Sequence, residues 1–328
     1  MFTRKLGRSN IEVSAMGMGC YAIGGQFRVE NGQQWGWTDV DDKESVRAIH
    51  AAMDLGVNFF DTAQAYGIGH SESIIGKAIK GRRDKVVLAT KFGKLMDEAN
   101  QQIMGSSIES SLLRQSLEDS LLRFGTDYID LFQWHESNGA LEDLPRLLDL
   151  LDELVDEGKI RYYGWSTDDT ERATLMAQRK NCVAIQHRVH VFENSDNVSN
   201  MLAVCDAQNL ASINRSPLMM GILTGKFNEK STFVEGDIRH SIGIDFKNER
   251  FGNLLTRVES VREVITSQGR TPAQGALAWI WARSPRTIPI PGFKNTKQAT
   301  ENARAMDFGP LTKDQFHQVE EIMGRAQA

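Results

Sequence analysis

The chain has little cysteine, no long apolar run and no long basic run. Its 328 residues include three cysteines, Cys20, Cys182 and Cys205, which lie far apart in sequence. Their odd number and wide spacing predict no disulfide framework and no metal site, so we expect reduced, buried thiols. The formal net charge is -5. Without a basic patch, the sequence gives no electrostatic footprint for nucleic acid as a partner.

Membrane partners are also not expected. The sequence lacks a stretch of about 18 uninterrupted apolar residues, which a membrane-spanning helix needs. The first ten residues, MFTRKLGRSN, lack the apolar core of a signal peptide. Hydrophobic residues make up 41% and charged residues 25% of the chain, as in ordinary soluble globular proteins. We therefore expect a cytoplasmic protein.

No linker rich in proline, glycine or serine divides the chain, and β-type runs alternate with amphipathic helical patterns. The predicted strands are Ser14–Cys20, Val57–Asp61, Val86–Lys91, Tyr128–His135, Ile160–Ser166, Val183–His187, Leu210–Leu218 and Thr287–Pro291. The predicted helices are Lys43–Leu55, Glu72–Lys80, Ile108–Phe124, Leu141–Glu157, Thr170–Arg179, Val198–Ala207, Leu254–Ser267, Pro272–Arg283 and Thr296–Ala305. Because strands that alternate with helices form parallel sheets, eight units predict an α/β fold, a (β/α)8 TIM barrel, as a single domain over residues 1–328.

Two segments stand outside this alternation. We expect residues Arg4 to Gly17 to form an N-terminal hairpin that closes the bottom of the barrel. Residues Asn228 to Phe251 form a long polar loop after the seventh predicted strand. Active sites in this fold lie at the carboxyl ends of the strands, so this loop is expected at the active face.

Ionisable residues end three successive apolar strands of the predicted barrel. They are Asp61, Lys91 and His135, and Tyr66 follows Asp61 by five residues. Each has a structural alternative when taken alone: a helix cap, an ion pair, a satisfied histidine or a loop aromatic. Because the strand ends converge, the four together predict a catalytic group.

The chemistry of these four residues is that of a general acid. Tyrosine is a poor acid at neutral pH, with an ordinary pKa of about 10. We expect Lys91 to lower the pKa of Tyr66 and Asp61 to hold Lys91 protonated and in place. His135 is expected to donate a hydrogen bond to a substrate oxygen. Tyr66 would then protonate the oxygen of a carbonyl that receives hydride.

Several motifs resemble those of the aldo-keto reductase superfamily, in matching order from Leu6 to about Phe308. They include residues from Asp61 to Gly67 with Gly69, Ser71 and Glu72 after them, Ala89 to Lys91, Ser120 to Phe124, and Asp127 to His135. Phe124 stands where that family usually has leucine. The chain is similar to the bacterial branch with a long loop after the seventh strand, which also resembles potassium-channel β subunits.

The resemblance implies NADPH or NADH bound across the top of the barrel, without a Rossmann domain. No G-x-G-x-x-G follows a strand and opens a helix, in agreement with that implication. By matching positions, it implies these cofactor contacts in addition to Asp61: Gly19, Cys20, Tyr21, Ser166, Gln186, Ser216, Pro217, Leu218, Gly221, Leu223, Thr224, Gly225, Lys226, Gly292, Lys294, Gln298, Glu301 and Asn302. Lys294 favours NADPH, because its charge suits a 2′-phosphate.

Two positions depart from the family pattern near the implied nicotinamide site. Thr167 follows Ser166 where the family usually has asparagine, which predicts a weaker carboxamide contact. Arg215 precedes Ser216 where the family often has an aromatic that stacks on nicotinamide. A guanidinium plane also stacks, but it repels an oxidised nicotinamide. We hypothesise that Arg215 contacts the cofactor and favours its reduced form, or that it recruits an anionic group of the substrate.

Three functions fit these residues. The first is an enzyme that reduces an aldehyde or ketone with NADPH. The others are a sugar or alcohol dehydrogenase that works in the oxidising direction and a cofactor-binding regulatory subunit that senses redox state. The substrate is expected to be a small carbonyl compound or sugar, and a homo-oligomer remains open. Candidate pocket walls are the aromatic residues Tyr21, Phe27, Trp35, Trp37 and Trp134, although Trp134 can instead face the helices.

Overall fold

The computed structural model describes residues 2–193 and 195–325. Its strands are β1 (Thr3–Lys5), β2 (Glu12–Ser14), β3 (Met18–Gly19), β4 (Gln26–Arg28), β5 (Gln34–Gly36), β6 (Phe59–Asp61), β7 (Val87–Phe92), β8 (Lys94–Asp97), β9 (Gln102–Ser106), β10 (Ile129–Trp134), β11 (Ile160–Ser166), β12 (Cys182–Arg188), β13 (Ala211–Arg215) and β14 (Thr287–Pro289). Its α-helices are α1 (Asp42–Asp54), α2 (His70–Ile79), α3 (Ser110–Phe124), α4 (Leu144–Asp156), α5 (Thr170–Met176), α6 (Ser195–Ala207), α7 (Ile238–Ser241), α8 (Glu249–Thr266), α9 (Pro272–Arg283), α10 (Thr296–Ala303) and α11 (Lys313–Ile322).

Eight parallel strands form a closed barrel. They are hydrogen-bonded in the order β3, β6, β7, β10, β11, β12, β13 and β14. The segment after β14 returns to β3, because the N–H of Gly19 donates to Pro291 O at 3.0 Å and Gly19 pairs with Gly292 in a parallel bridge. The predicted (β/α)8 fold is confirmed.

The core lies in two layers, one inside the barrel and one between the barrel and its helices. The inner layer includes Leu6, Phe59, Leu131, Ile213 and Ile288, all fully buried. Leucine-rich helices such as α4 pack their apolar faces on the outside of the strands. Because side chains are buried on both faces of the sheet, the strand ends are held in place. The side chains at those ends are therefore held in place as well.

Local sequence signals explain several helix ends. Thr271 caps α9 through a reciprocal pair with Gln274, and Pro272 occupies the first helical position. Gly56 follows α1 with a φ of +84°, a conformation that favours glycine. These caps agree with the predicted boundaries of both helices to within a residue.

The predicted N-terminal hairpin is present as the antiparallel pair of β1 and β2. Its turn closes the bottom of the barrel, because the Arg8 side chain donates to the carbonyl oxygens of Ala177, Arg179 and Cys182 at 2.6–2.8 Å. These carbonyls precede or begin β12, at the opposite end of the barrel from the predicted site.

A second sheet, which the sequence analysis did not predict, lies at the active face. Its strand order is β5, β4, β9 and β8. The long loop after β13 contacts this sheet, since Gln26 Nε2 donates to Gly236 O at 3.0 Å and Ser241 Oγ donates to Gln34 O at 2.8 Å. The expected position of the loop is therefore correct, although α7 forms inside it.

The seventh predicted barrel strand, Leu210–Leu218, is too long. The observed strand β13 ends at Arg215, and Ser216 turns the chain with a φ of +56°. The last predicted helix ends at Ala305, and α11 was not predicted. Among the described residues, no helix combines the length and apolar character needed to cross a membrane.

Candidate active site

Asp61 and Lys91 form a buried ion pair at the ends of β6 and β7. Lys91 Nζ donates to Asp61 Oδ1 at 2.6 Å and to the carbonyl oxygen of Thr62 at 2.7 Å. Both charged side chains are nearly or fully buried. Burial alone lowers the pKa of Lys91, but Asp61 and Tyr66 together outweigh it and raise the pKa above its ordinary value. Lys91 is therefore a fixed cation.

Two glutamines complete the hydrogen bonding of the Asp61 carboxylate. Gln133 Nε2 and Gln186 Nε2 donate to Asp61 Oδ2 at 2.9 and 2.7 Å. Gln186 was predicted as a cofactor contact, whereas Gln133 was not singled out. A glutamine buried within the apolar strand β10, two residues before His135, is the signal that could have found it. Because both carboxylate oxygens of Asp61 accept hydrogen bonds, the side chain is held in one position.

Tyr66 lies beside this pair. Lys91 Nζ is 3.3 Å from Tyr66 Oη, within hydrogen-bond distance. Burial raises the pKa of Tyr66 above its ordinary value, although Lys91 acts in the lowering direction. The expected direction of the Lys91 effect is present, but the pKa is not lowered overall, because desolvation of the phenolate outweighs the ammonium. Tyr66 is protonated at neutral pH, which leaves its proton available.

His135 lies on the other side of Tyr66. The two ring centroids are 5.7 Å apart in an edge-on arrangement. Burial holds the pKa of His135 well below its ordinary value, and Lys91, Lys94 and Arg215 act in the same direction. The imidazole is neutral. Its Nδ1 is buried without a hydrogen-bond partner among the described residues, so Nε2 is the nitrogen available to a ligand.

The structure thus brings the four predicted catalytic residues together. It also surrounds them with aromatic side chains: Tyr21 packs edge-on against Tyr66, with ring centroids 4.8 Å apart. Phe27 and Trp35 belong to a small apolar cluster at the active face. Trp134, in contrast, is buried and stacks on Trp165 with centroids 4.3 Å apart, so it faces the helices as the alternative prediction held.

The segment after β13 has the backbone of an anion site. Ser216, Met219, Met220 and Gly221 all have φ between +48° and +90°. Backbone N–H groups in a turn can form an anion-binding concavity, a common phosphate-binding arrangement. This segment contains residues that the resemblance implies as cofactor contacts: Ser216, Pro217, Leu218, Gly221, Leu223, Thr224, Gly225 and Lys226.

Three cations gather near this segment. Burial lowers the pKa of Lys226, and the charges of Arg239 and Lys294 lower it further, so the three lie close enough to repel one another. Lys294 Nζ donates to Thr38 O at 3.1 Å. Arg239, in α7, pairs with Asp237 and was not predicted. A cluster of like charges is stabilised by a bound anion.

The residues around Lys294 are fixed by hydrogen bonds. Gln298 Oε1 accepts from the Lys294 N–H at 2.8 Å, and Asn302 Nδ2 donates to Gly292 O at 3.1 Å. The backbone oxygen of Glu301 accepts from Gln274. The predicted cofactor residues from Gly292 to Asn302 therefore lie on α10 and the turn before it, where hydrogen bonds hold them in place.

Some predicted cofactor residues have no group left to contact a ligand. The Cys20 N–H donates to Asp61 O, its carbonyl accepts from Ser71, and its thiol is within 3.5 Å of Met18 O. The Leu223 side chain is fully buried in the core. A direct contact to a ligand by Cys20, or by the Leu223 side chain, is therefore not supported. Gly19 lies in close contact with the backbone of Ile290, since a Cβ there would lie 2.5 Å from Ile290 O, so this position requires glycine.

Ser166 and Thr167 follow one another at the end of β11. Ser166 is 3% exposed at the barrel top. The Thr167 hydroxyl donates to Ser137 O at 3.0 Å and accepts from the Asp169 N–H at 3.1 Å. Thr167 therefore holds its own loop. The expected weaker contact to a carboxamide stays a prediction.

Arg215 ends β13 at the same face of the barrel. Its Nη2 donates to Asp168 Oδ2 at 2.5 Å. Its charge acts on both Tyr66 and His135. The side chain is 24% exposed, so a ligand can reach it. The described residues include no cluster of side chains that could hold a metal ion.

A closed barrel with a buried Asp–Lys pair, a tyrosine and a neutral histidine at its strand ends defines a barrel enzyme. The model of the aldo/keto reductase family matches residues 23–323. This chain belongs to the aldo/keto reductase family, and it is an oxidoreductase of that class.

Relatives agree with this assignment along most of the chain. Aldo-keto reductase YhdN of Bacillus subtilis (strain 168) is 34% identical over 293 residues, which cover 88% of this chain and 84% of that protein. Aldo-keto reductase yakc [NADP(+)] of Schizosaccharomyces pombe is 31% identical over 308 residues, covering 93% and 86%. The structure of the glycerol dehydrogenase AKR11B4 from Gluconobacter oxydans matches with a TM-score of 0.84 at 29% identity, covering 99% of this chain and 95% of that one.

Proposed function

We propose that this protein reduces an aldehyde or ketone to an alcohol with NADPH, and that Tyr66 is its general acid. One observation carries the proposal: Lys91 Nζ lies 2.6 Å from Asp61 Oδ1 and 3.3 Å from Tyr66 Oη in a buried site. The group combines a protonated acid with a fixed cation, as reduction of a carbonyl requires.

The residues divide the reaction between them. Nicotinamide, when bound, supplies the hydride that adds to the carbonyl carbon. Tyr66 Oη donates its proton to the carbonyl oxygen, so that oxygen becomes the hydroxyl group of the alcohol product and Tyr66 becomes a phenolate. Lys91 stabilises that phenolate, and Asp61 keeps Lys91 charged and in place. His135 Nε2 donates a hydrogen bond to the same oxygen and orients it.

The described residues fit a dinucleotide phosphate. The left-handed turn after β13 has a backbone conformation that suits a pyrophosphate, and Lys226, Arg239 and Lys294 form a cationic cluster beside it. The name of the Schizosaccharomyces pombe relative includes NADP(+), which favours the same cofactor here. Lys294 would bind the 2′-phosphate, with NADH the weaker alternative.

A second function has its own support. The structure with a TM-score of 0.84 belongs to a glycerol dehydrogenase, which favours an alcohol or sugar dehydrogenase. The same four residues serve that direction, since Tyr66 as a phenolate would accept the hydroxyl proton. The two directions differ in the cofactor's redox state and in substrate.

Turnover of a panel of aldehydes and ketones with NADPH, against a panel of alcohols and sugars with NADP+, tests the proposal. We expect a higher kcat/KM on the carbonyl panel at neutral pH. A higher kcat/KM on the alcohol panel would favour the dehydrogenase. Tight NADPH binding in calorimetry without turnover of either panel would contradict both and favour a redox-sensing subunit.

A further inference from the structure

Arg215 lies at the active face but is not part of the proposed catalytic group. It lies at the end of β13, across the barrel from the strands that carry Asp61 and Lys91. Among the described residues, Asp168 is the one hydrogen-bond acceptor of its guanidinium. A guanidinium offers five N–H donors in a planar fork, so most of its donors remain for a ligand.

Asp168 is itself fixed by the backbone. Its Oδ1 accepts from the Arg188 N–H at 2.8 Å, while Oδ2 accepts from Arg215. Because both carboxylate oxygens are engaged, Asp168 holds the guanidinium in a fixed orientation. Asp168 also shows that a carboxylate can reach this guanidinium.

Arg215 and the catalytic group share the barrel mouth. The strand that ends at Arg215 and the strand that precedes His135 belong to the same parallel barrel, so both residues lie at the carboxyl ends of their strands. Like Lys91, Arg215 has a carboxylate partner, Asp168, but the Arg215 side chain is partly exposed whereas Lys91 is buried. Burial and then the nearby cations, Arg215 among them, lower the pKa of His135. A substrate bound near His135 therefore lies at the same face of the barrel as Arg215.

We propose that Arg215 binds a carboxylate carried by the carbonyl substrate, and that Asp168 is the internal carboxylate that competes for the guanidinium when no substrate is bound. The preferred substrates would then be aldehydes or ketones with a carboxylate at a fixed distance from the carbonyl. A planar, singly charged carboxylate matches the free edge of one guanidinium, whereas a phosphate dianion would call for more cations. The inference rests on the proposed carbonyl reduction.

Matched substrates test this directly. The 2-, 3- and 4-carboxybenzaldehydes are compared with their methyl esters, which keep the ring and the aldehyde but remove the charge. The three isomers vary the distance between carboxylate and carbonyl. Values of kcat/KM with NADPH are measured for the wild type, Arg215→Leu and Asp168→Asn. Circular dichroism checks that each variant folds.

The two substitutions are expected to act in opposite directions. The wild type should prefer at least one acid over its ester, and Arg215→Leu should reduce that ratio about tenfold or more, mainly through KM. Asp168→Asn removes the internal competitor and should increase the ratio. General damage to the site would lower activity without opposite changes in the ratio. An unchanged ratio in both variants would overturn the proposal.

A binding measurement separates this inference from the proposed function. Calorimetric titration of the NADPH-bound protein with benzoate and with benzamide requires no turnover. Stronger binding of benzoate in Asp168→Asn than in the wild type supports the carboxylate site even if no aldehyde is reduced. No benzoate binding to either protein, together with reduction of neutral aldehydes, would reject the site and keep the reductase. If Arg215→Leu does not fold, Asp168→Asn carries the test.

Discussion

The ion pairs on the two sides of the barrel mouth differ in how deeply they are buried. On one side, Lys91 and Asp61 are buried, and every polar atom of the Asp61 carboxylate has a partner. On the other, Arg215 and Asp168 are 24% and 47% exposed, and the guanidinium keeps free donors. A buried pair is rigid and costly to alter, whereas an exposed pair can exchange partners. The buried pair suits a fixed catalytic role, and the exposed pair suits recognition of a substrate.

The largest effect is expected from Tyr66→Phe. It removes the proposed proton donor and keeps the aromatic ring, so kcat should fall by about a thousandfold while NADPH binds as before. Steady-state kinetics and cofactor titration check both parts. Tyr162→Phe is the matched control, because this tyrosine hydrogen-bonds Asn10 at the far end of β11. A Tyr66→Phe enzyme with near-normal turnover would contradict the mechanism.

The next effect compares the two ion pairs as contributors to stability. Lys91→Met leaves the Asp61 carboxylate buried without its cation, and we expect the free energy of unfolding to fall by about 3–5 kcal/mol. Arg215→Met breaks the exposed pair and should change it by at most about 1 kcal/mol. Urea unfolding of the cofactor-free proteins measures both. Equal losses would show that the two sides do not differ as their burial implies.

A smaller effect is expected at the cationic cluster. Lys294→Ala should raise the KM for NADPH about tenfold and leave the KM for NADH nearly unchanged, because only NADPH carries the 2′-phosphate. Lys313→Ala, an exposed cation at the start of α11, is the control for net charge. An equal rise for both cofactors would assign Lys294 to another role, such as holding Thr38 O.

The buried side could be predicted from the sequence, and the exposed side could not. Asp61, Lys91 and His135 each interrupt an apolar strand at its end, and that pattern alone indicates where they meet. Gln133 has the same pattern but no ionisable group. The partner of Arg215, in contrast, is 47 residues away in a loop after another strand, and no local pattern links the two.

The second sheet was missed for a related reason. Strands such as Gln26–Arg28 and Gln34–Gly36 have three residues each and are largely polar, so they show no alternation of apolar side chains. They form because they pair with each other and contact the loop after β13. Arg239 becomes part of the cation cluster only through that contact. Tertiary contacts of this kind have no signature in a single segment.

The smallest expected effect is the absence of a titration in kcat/KM for carbonyl reduction between about pH 6.5 and 9. Tyr66 must be protonated to act as an acid, and burial raises its pKa, so the active form persists as pH rises to its ordinary value. His135 must be neutral, and burial together with the nearby cations holds its pKa well below 6.5, so acidification toward that value does not charge it. Profiles measured at constant ionic strength test both. An acidic limb near pH 6.5 that disappears in His135→Asn would show that His135 titrates normally. The buried side of the barrel mouth would then be more accessible to water than its contacts imply.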